Sequence, residues 1–396
     1  MRGVWTILLI GCGFHGSNSV NPDARPTGGD DAAPDVPPVG QENICASIMF
    51  GTQFQASACG TTIADAVEIS TNVLLNTDQG TSDVPGISCT VVPNMGSHVC
   101  ALVAGTIRVK AGVTLAARGT HPRALVAQSI TVQGTIDVAS HAGGVIGAGS
   151  YREGCNLAKA PSSGGGGGGG ATADTGGDGG DEGGMPGSGG KGDNSFGIDT
   201  VIGGCAGITG GRGVTGDGGA GGGTVWIATD TGPLSFGATA IVNASGAGGA
   251  GGAGGTSQGH GGAGGGAGGL IVLQAQNLQR PQTAQIFANG GGGGGAAGNA
   301  GVPDLAHGSP GGDPLGPAMG GVGGTAGLDA FNLIQTVAMS GNGGSGFPST
   351  MPMKGEDGGL TGRGGGGGGG SKGAIRIVSP MHVDPANISP PPVYLP

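Results

Sequence analysis

The sequence predicts an all-β protein, an irregular β-solenoid whose parallel β-helix-like rungs are joined by long Gly-rich loops. Three observations favour this fold class. Apolar residues alternate with polar ones over short stretches, a strand–turn–strand unit recurs along the chain, and Gly supplies 101 of 396 residues while only 3% are aromatic. Because Gly tracts contribute no side chains to a core, length alone does not indicate the number of domains.

Residues 1–11 have the layout of a signal peptide. Arg2 supplies one positive charge, residues 4–10 are apolar, and the sequence Leu-Ile-Gly-Cys ends at Cys12. This tetrapeptide resembles the lipobox of bacterial lipoproteins, in which the Cys receives lipid and becomes the mature N-terminus. We therefore expect lipidation at Cys12 and a membrane anchor. The alternative is a non-cleaved hydrophobic start or a misplaced start codon.

Residues 12–42 form the next segment, which is rich in Pro, Asp and Gly and almost free of large apolar side chains. This composition predicts a disordered tether that holds the folded body away from the membrane. No other apolar run approaches the roughly 20 residues that a transmembrane helix needs. Gly13 stands where an Asp commonly retains lipoproteins in the inner membrane. The expected location is therefore the outer membrane or cell surface of a Gram-negative bacterium.

Residues 43–149 have ordinary composition, contain Cys and begin the solenoid. Runs such as VEISTNVLLN and GTIRVKAGVTLAARG are separated by Gly or Asn, which indicates short strands and turns. The only helical signal is a short turn near residues 61–68. Apolar residues alternate with others within the runs, as at Ile107, Val109, Ile130, Val132, Ile136 and Val138, which is typical of strands.

A repeat of about 20 residues recurs through the rest of the chain. Its copies read ALVAQSITVQGTIDVASHAGG, TVWIATDTGPLSFGATAIVNASGAGG, LIVLQAQNLQRPQTAQIFANGGGG and AIRIVSPMHVDPANISPPP. Each combines an apolar strand, a turn and a second strand, and in the first three the chain then enters Gly. Side by side, Ile136, Ile241 and Ile286 occupy one position. Since a single unit has no partner for its apolar face, we expect the units to stack.

Residues 150–372 form the Gly-rich region, with strand pairs interspersed. Several tracts have a three-residue period, as at Ala247, Ala250 and Ala253. Three residues per turn is the period of a polyproline II helix, and Gly helices of this kind can hydrogen-bond laterally through their backbones. Flexible linkers are the alternative interpretation. Residues 373–396 supply the last strand pair and a Pro-rich tail.

Cysteine usage predicts disulfides. Six of the seven Cys remain once Cys12 is set aside, and an even number in an exported protein favours pairing. Metal ligation would need CxxC-type spacing, which the sequence lacks. We expect sequence neighbours to pair, namely Cys45 with Cys59, Cys89 with Cys100, and Cys155 with Cys205.

The charge pattern argues against nucleic acid as a partner. The net charge is −10, and no cluster of Lys and Arg is interleaved with aromatic residues. No cofactor is expected. Asp178, Asp181 and Glu182 are weak candidates for Ca²⁺ ligands, because flexible carboxylates and backbone carbonyls suit this ion. The alternative is a solvated acidic loop.

No residue pattern identifies an active site. Residues 255–259, GTSQG, match G-x-S-x-G, but no strand is expected before them and no helix after them. A β-helix can carry polysaccharide lyase or glycosidase chemistry, for which candidate groups exist. They are Asp137, Arg123, Arg108 and Lys110. Because the sequence does not make these groups converge, a polysaccharide-active enzyme is an alternative and not the main expectation.

The lipobox, the Cys-containing start and strands such as GTIDVAS at residues 134–140 together resemble the Gly-rich surface lipoproteins of Gram-negative bacteria. The resemblance covers most of the chain and implies location and build. Residues 164–170 and 364–370 are similar to the polyglycine II bundles of phage tail-tip adhesins and Gly-rich antifreeze proteins, which implies a binding surface at most. The expected function is structural or adhesive, with a glycan or cell-surface matrix as partner. Ice or surface binding is a further alternative that needs a flat Ala, Thr and Gly face.

Overall fold

Strands are the only long-range regular secondary structure in the computed structural model, which contains no helix in the part of the chain it describes. No membrane-spanning helix is found there either. The described residues are 64–94, 97–150, 155, 160–183, 202–212, 217–254, 259–298, 307–327, 340–348, 353–359, 363–380 and 384–395.

The described strands form two sheets, one of ten strands and one of seven. In chain order they are β1 (Ala64–Ile69), β2 (Val73–Asn76), β3 (Thr81–Ser82), β4 (Thr90–Asn94), β5 (Ser97–Val109), β6 (Thr114–Arg118), β7 (Arg123–Val132), β8 (Thr135–Asp137), β9 (Thr224–Thr229), β10 (Pro233–Phe236), β11 (Ile241–Asn243), β12 (Leu270–Gln274), β13 (Asn277–Gln279), β14 (Gln285–Phe287), β15 (Ala374–Val378), β16 (Ile388–Ser389) and β17 (Val393–Leu395).

Successive strand pairs lie side by side in both sheets. The larger sheet runs β1, β5, β7, β9, β12, β15, β17, with all neighbours on this path parallel. The smaller sheet runs β2, β6, β8, β11, β14, β16, again in parallel. β3 pairs antiparallel with β2, and β4 pairs antiparallel with β5. β10 pairs with both β7 and β13. The all-β fold class predicted from the sequence is confirmed.

One apolar cluster draws its side chains from both sheets. The six apolar residues that alternate in the sequence from Ile107 to Val138 are all at most 1% exposed. A second cluster, which includes Val126, Trp226 and Val272, alternates with the first along the same strands. β9 and most of β12 are therefore buried on both faces, which explains why their sequences read as continuous apolar runs.

The register of the repeat differs by one residue from the alignment of the sequence copies. Ile136 pairs with Val242, and Val242 pairs with Ile286. The alignment of Ile136 with Ile241 was therefore wrong, whereas that of Ile136 with Ile286 was right. Side chains alternate between sheet faces, so a shift of one residue would turn the fully buried Val242 outward.

The Gly-rich segments leave the smaller sheet and return to the larger one. They follow β8, β11 and β14, and they end at β9, β12 and β15. Where the chain leaves the smaller sheet, backbone hydrogen bonds between neighbouring repeats continue past the strand ends. The Ala244 amide, just after β11, donates to the Phe287 carbonyl of β14 at 2.9 Å. At the returns the Gly269 amide donates to Ala244 at 2.7 Å. The two sheets therefore fix both ends of each Gly-rich excursion.

Within the Gly-rich segments, hydrogen bonds to a given neighbour recur every third residue. In segment 259–269, the amides of Gly262, Gly265 and Gly268 donate to residues 365, 368 and 371 at 2.9–3.0 Å. The amides of residues 263, 266 and 269 donate to residues 250, 247 and 244 of a different segment. The three-residue period expected from the sequence is present in this bonding pattern.

Segment 259–269 hydrogen-bonds to several neighbours at once and is buried along most of its length. Its backbone donates to or accepts from segments 164–171, 202–212, 217–223, 244–254, 288–298 and 363–373. Segments 288–298 and 363–373 are surrounded in the same way. These three segments form the interior of a bundle, which we call the glycine bundle.

Close packing leaves no room for a Cβ at many Gly positions of the bundle interior. A Cβ on Gly265 would lie 2.1 Å from the carbonyl oxygen of Gly291, and one on Gly262 would lie 2.0 Å from that of Gly294. These carbonyls belong to fixed backbones and have no rotamer by which to move away. The Gly requirement is steric here, and the Cα hydrogens face carbonyl oxygens instead.

Two disulfides join described cysteines. Cys89 is bonded to Cys100, and Cys155 to Cys205, which are two of the three pairs expected from the sequence. Cys12, Cys45 and Cys59 lie outside the described residues. The Cys155–Cys205 bond attaches residue 155 to segment 202–212 of the glycine bundle.

Substitution of Gly265 by Ala should destabilise the protein by about 3 kcal/mol, since the new methyl group overpacks a rigid site. Gly316→Ala is the matched control, because a Cβ there would meet its nearest atom, Gln285 Oε1, at 3.7 Å. We expect the control to change stability by less than about 1 kcal/mol. Denaturant unfolding monitored by circular dichroism measures both, and equal losses would contradict the steric account.

Candidate functional site

A cavity of about 250 Å³ lies where three adjacent parallel strands of the larger sheet end. β9, β12 and β15 each contribute their last residue, and the residues that follow complete the lining. The lining residues are Thr229, Asp230, Gln274, Ala275, Gln276, Val378, Ser379 and Pro380. Pockets for drug-sized ligands begin at roughly 300 Å³, so this cavity suits a smaller group.

Two polar atoms of the cavity lining are buried without a hydrogen-bond partner. They are Thr229 Oγ1 and Gln274 Oε1. Thr229 is only 3% exposed, so its hydroxyl has lost bulk water as well as protein partners. A buried polar group without a partner costs about 1–3 kcal/mol. Because both atoms are buried, a ligand in the cavity would recover this cost only after the two side chains turn toward it.

Asp230 is the one charged residue among the lining residues and is 9% exposed. Burial raises the pKa of its carboxyl group above the usual value. The lining residues therefore combine the carboxyl group of Asp230 with two hydroxyl and two amide side chains, and the others are Ala275, Val378 and Pro380. Such a set accepts hydrogen bonds from hydroxyl groups.

A second polar cluster, which we call the junction clasp, connects the smaller sheet to the glycine bundle. Arg118 Nη2 lies 2.7 Å from Asp137 Oδ2, and His141 Nε2 lies 3.1 Å from the same oxygen. The other ring nitrogen of His141, Nδ1, lies 3.4 Å from Asp313 Oδ2. Asp313 also accepts from the backbone amides of Ala142 and Gly248.

The electrostatics of the clasp favour a charged imidazolium. Hydrogen bonds to Asp137 and Asp313 raise the pKa of His141 to about 9. Burial alone would raise the pKa of Asp137, but hydrogen bonds from His141 and Arg118 outweigh it and lower that pKa. The pKa of Asp313 is lowered in the same way by His141 and two amides. Neither carboxyl group is prepared to act as a general acid, so the clasp has the properties of a structural ion network.

The groups considered for polysaccharide chemistry do not converge. Arg123 is fully buried, whereas Asp137 is engaged in the clasp. Arg108 donates to Gln133 Oε1 at 3.2 Å, and Lys110 lies 2.6 Å from the exposed Glu68. Lys110 and Arg108 both favour the charged form of Glu68, so these contacts bring together no more than two of the four groups.

The acidic residues considered for Ca²⁺ have different surroundings. Glu182 is buried, and its two oxygens accept from Arg212 Nη1 at 2.5 Å and from the Gly164 amide at 2.9 Å. Asp181 is exposed, and Asp178 is half-buried. Within the described part of the chain, no group of three His, Cys, Asp or Glu side chains is arranged to hold a metal ion.

The face considered for ice or surface binding is not a flat exposed row. Ala247 is 2% exposed and packed inside the glycine bundle, while Ala250 and Ala253 are half-buried. The three-residue period at these positions therefore reports lateral packing between segments.

The cavity residues were not identified from the sequence, although a signal for them exists. In the repeat copies, a polar residue ends the first apolar strand or follows it directly, as in TVWIATD, LIVLQ and AIRIVS. Since these strands are parallel neighbours, their terminal polar residues meet at one edge of the sheet. Combining the strand alignment with the change from apolar to polar would have identified Thr229 and Gln274.

Comparison with known proteins gives no match to a family model, a curated protein or a solved structure. Inferences about function therefore depend on the chemistry of the cavity, the clasp and the glycine bundle.

Replacement of His141 by Gln should lower the melting temperature in a pH-dependent way. The His141 contribution is fully present below its unfolded pKa of about 6.5 and is lost as pH rises through about 9. Solvent screens the clasp, because 36% of the His141 side chain is exposed. We therefore expect a decrease of about 2–4 °C near pH 6 that disappears above pH 9.

The control for this prediction is His98→Gln, an exposed His on β5. Thermal unfolding of both variants and the wild-type protein from pH 5 to pH 10 measures the effect. A His141→Gln penalty that is constant across this range would show that the imidazolium is not what stabilises the junction.

Proposed function

We propose that this protein is a lipid-anchored recognition protein of the bacterial cell envelope, in which a rigid β scaffold presents a small polar cavity to glycans. The observation that carries the proposal is the pair of buried oxygens without partners at Thr229 and Gln274. Both atoms belong to residues that line the same cavity, so one ligand could serve both.

For the scaffold we propose an irregular β-solenoid whose loops pack as polyglycine II helices. Support for stacked rungs comes from the identical strand order in both sheets and from their parallel pairing. Support for polyglycine II comes from the three-residue period of lateral hydrogen bonds around segment 259–269. A scaffold of this kind resists deformation because its backbone groups are mutually bonded.

The chemistry of the cavity favours a neutral, hydroxyl-rich ligand. Gln274 Oε1 needs a donor, and the Thr229 hydroxyl both donates and accepts. A sugar ring offers several hydroxyl groups that donate and accept at close spacing. The volume of about 250 Å³ fits one ring of a longer chain better than a complete oligosaccharide.

The envelope location in this proposal is based on the sequence. Arg2, the apolar residues 4–10 and Cys12 follow the pattern of an exported lipoprotein, and residues 12–42 suit a tether. The two disulfides between described cysteines fit an oxidising compartment. A tethered body of this type would contact a glycan or surface matrix beyond the membrane.

Substitution of Thr229 by Val should abolish most glycan binding without loss of stability. The variant keeps the shape of the side chain but removes a hydroxyl that has no partner in the protein, so the melting temperature should stay equal or rise. We expect at least a tenfold weaker affinity, about 1.4 kcal/mol, for a sugar selected on a glycan array and measured by titration calorimetry.

Thr224→Val is the matched control for this experiment. Thr224 lies at the other end of β9, is fully buried, and also has a hydroxyl without a partner. It should affect stability in the same direction and leave affinity unchanged. Wild-type protein that binds no glycan, or a control that weakens binding as much as Thr229→Val, would refute recognition at this cavity.

Substitution of Cys12 by Ser should move the protein from the membrane fraction to the soluble envelope fraction. Without the thiol no lipid can be attached, and one hydrophobic anchor is then missing. Immunoblots of fractionated cells and intact-mass measurement of the wild-type protein test this expectation. A wild-type mass without lipid, or a membrane fraction unaffected by Cys12→Ser, would count against the anchor.

A further inference from the structure

Arg123 is an unusual residue in the interior of this protein. Its side chain is fully buried at the start of β7, and two of its guanidinium nitrogens, Nε and Nη2, have no hydrogen-bond partner. No carboxylate of the described residues lies within ion-pair distance. A buried cation without a counter-charge is destabilising.

The nearest chemically reactive group is a disulfide sulfur. Arg123 Nη1 lies 3.6 Å from Cys100 Sγ and 3.5 Å from the Cys100 carbonyl oxygen. Strand pairing holds this arrangement in place, because Cys100 and Arg123 are register partners on the parallel strands β5 and β7. Burial lowers the pKa of Arg123 to about 9, which still leaves the guanidinium charged at neutral pH.

The two sulfurs of this disulfide differ in exposure. Cys100 is fully buried, whereas Cys89 is half-buried in the segment before β4. Beside Cys89 stands Gly80, with a φ of +70°, where a Cβ would lie 3.7 Å from Cys89 Sγ. Gly80 packs closely against Cys89, since the Gly80 carbonyl accepts from the Cys89 amide at 3.0 Å.

We propose that the Cys89–Cys100 disulfide is a reducible exchange site, attacked at Cys89 by a dithiol reductant, and that Arg123 stabilises the departing Cys100 thiolate. Exchange rates rise when the leaving thiol has a low pKa, and a cation next to a thiolate lowers that pKa. Reduction would thereby supply the counter-charge that Arg123 lacks.

The reaction balances with a dithiol as the only co-reactant. A reductant thiolate forms a new S–S bond with Cys89 Sγ, the Cys89–Cys100 bond breaks, and its electron pair stays on Cys100. The second thiol of the reductant loses its proton and attacks the mixed disulfide. Its attack releases Cys89 as a thiolate, which takes up a proton. The dithiol is oxidised by two electrons and the protein disulfide is reduced by two.

Reduction would release a defined part of the fold. The disulfide links the segment that precedes β4 to β5, on which β4 is an antiparallel addition. Val92 of β4 belongs to the second apolar cluster, which includes Trp226. Opening of the disulfide would loosen this cover of the larger sheet.

The experiment equilibrates the purified full-length protein with mixtures of reduced and oxidised dithiothreitol. After acid quenching and alkylation, peptide mass spectrometry gives the reduced fraction of each cysteine pair. Cys155–Cys205 in the same molecule is the internal control. We expect Cys89–Cys100 to be half-reduced at a reduced-to-oxidised ratio at least tenfold lower than that of Cys155–Cys205.

Arg123→Met tests the role of the guanidinium. The substitution should raise the ratio of reduced to oxidised dithiothreitol needed for half-reduction of Cys89–Cys100 about tenfold. This change corresponds to about 30 mV for a two-electron couple. The ratio for Cys155–Cys205 should not change. With glutathione as a monothiol probe, the mixed disulfide should form at Cys89 and not at Cys100.

Arg123→Lys is the second variant, for use if Arg123→Met fails to fold. It keeps the positive charge, so half-reduction of Cys89–Cys100 should need nearly the wild-type ratio of reduced to oxidised dithiothreitol. Thiolate absorbance of the reduced wild-type protein gives an independent readout, with a Cys100 pKa expected well below the usual value of about 8.5. Equal ratios for both disulfides, an unchanged ratio in Arg123→Met, or an unshifted Cys100 pKa would overturn the proposal.

Discussion

Lateral hydrogen bonding between backbones that carry no side chains is the interaction on which this structure depends. Each ordered Gly loses about 0.5–1 kcal/mol more conformational freedom than Ala would, so the Gly-rich segments are costly to fix. Segments 259–269, 288–298 and 363–373 offset this cost by bonding to neighbours on every side. Their close approach is possible only because no Cβ intervenes, as at Gly265. The high Gly content and the close packing of these segments therefore have the same cause, which is the need for neighbouring backbones to hydrogen-bond directly.

The two parallel sheets supply what the glycine bundle cannot, namely an apolar core and fixed ends. Every excursion starts at the smaller sheet and returns to the larger one, so the core around Ile136 and Val242 sets the register of the segments beyond it. The junction clasp adds charge to the same boundary through Asp137 and Asp313. The buried polar atoms without partners in the described chain include those of Thr229, Gln274 and Arg123, on which the two proposals depend.

Much of the fold follows from the sequence, because alternation at Ile107 and Val109 and the repeated strand pairs are local patterns. The three-residue period likewise indicated lateral packing of the Gly tracts. The one-residue error at Ile241 arose because similar apolar residues occur on both faces of a short strand. The cavity and the Arg123 environment were not predictable in the same way. They depend on which strand ends become neighbours and on whether a buried polar group finds a partner, and both are properties of the assembled sheets.

Hydrogen exchange of the Gly-rich segments tests the central claim most directly. If lateral bonds order the bundle together with the sheets, amides in segments 259–269 and 363–373 should exchange as slowly as those of β5 and β7. Mass spectrometry of peptides from these four regions, over times from seconds to days, provides the comparison. Protection at the level of the strands is the predicted result. Exchange of the Gly segments at the rate of an unstructured chain, while β5 and β7 stay protected, would contradict the account.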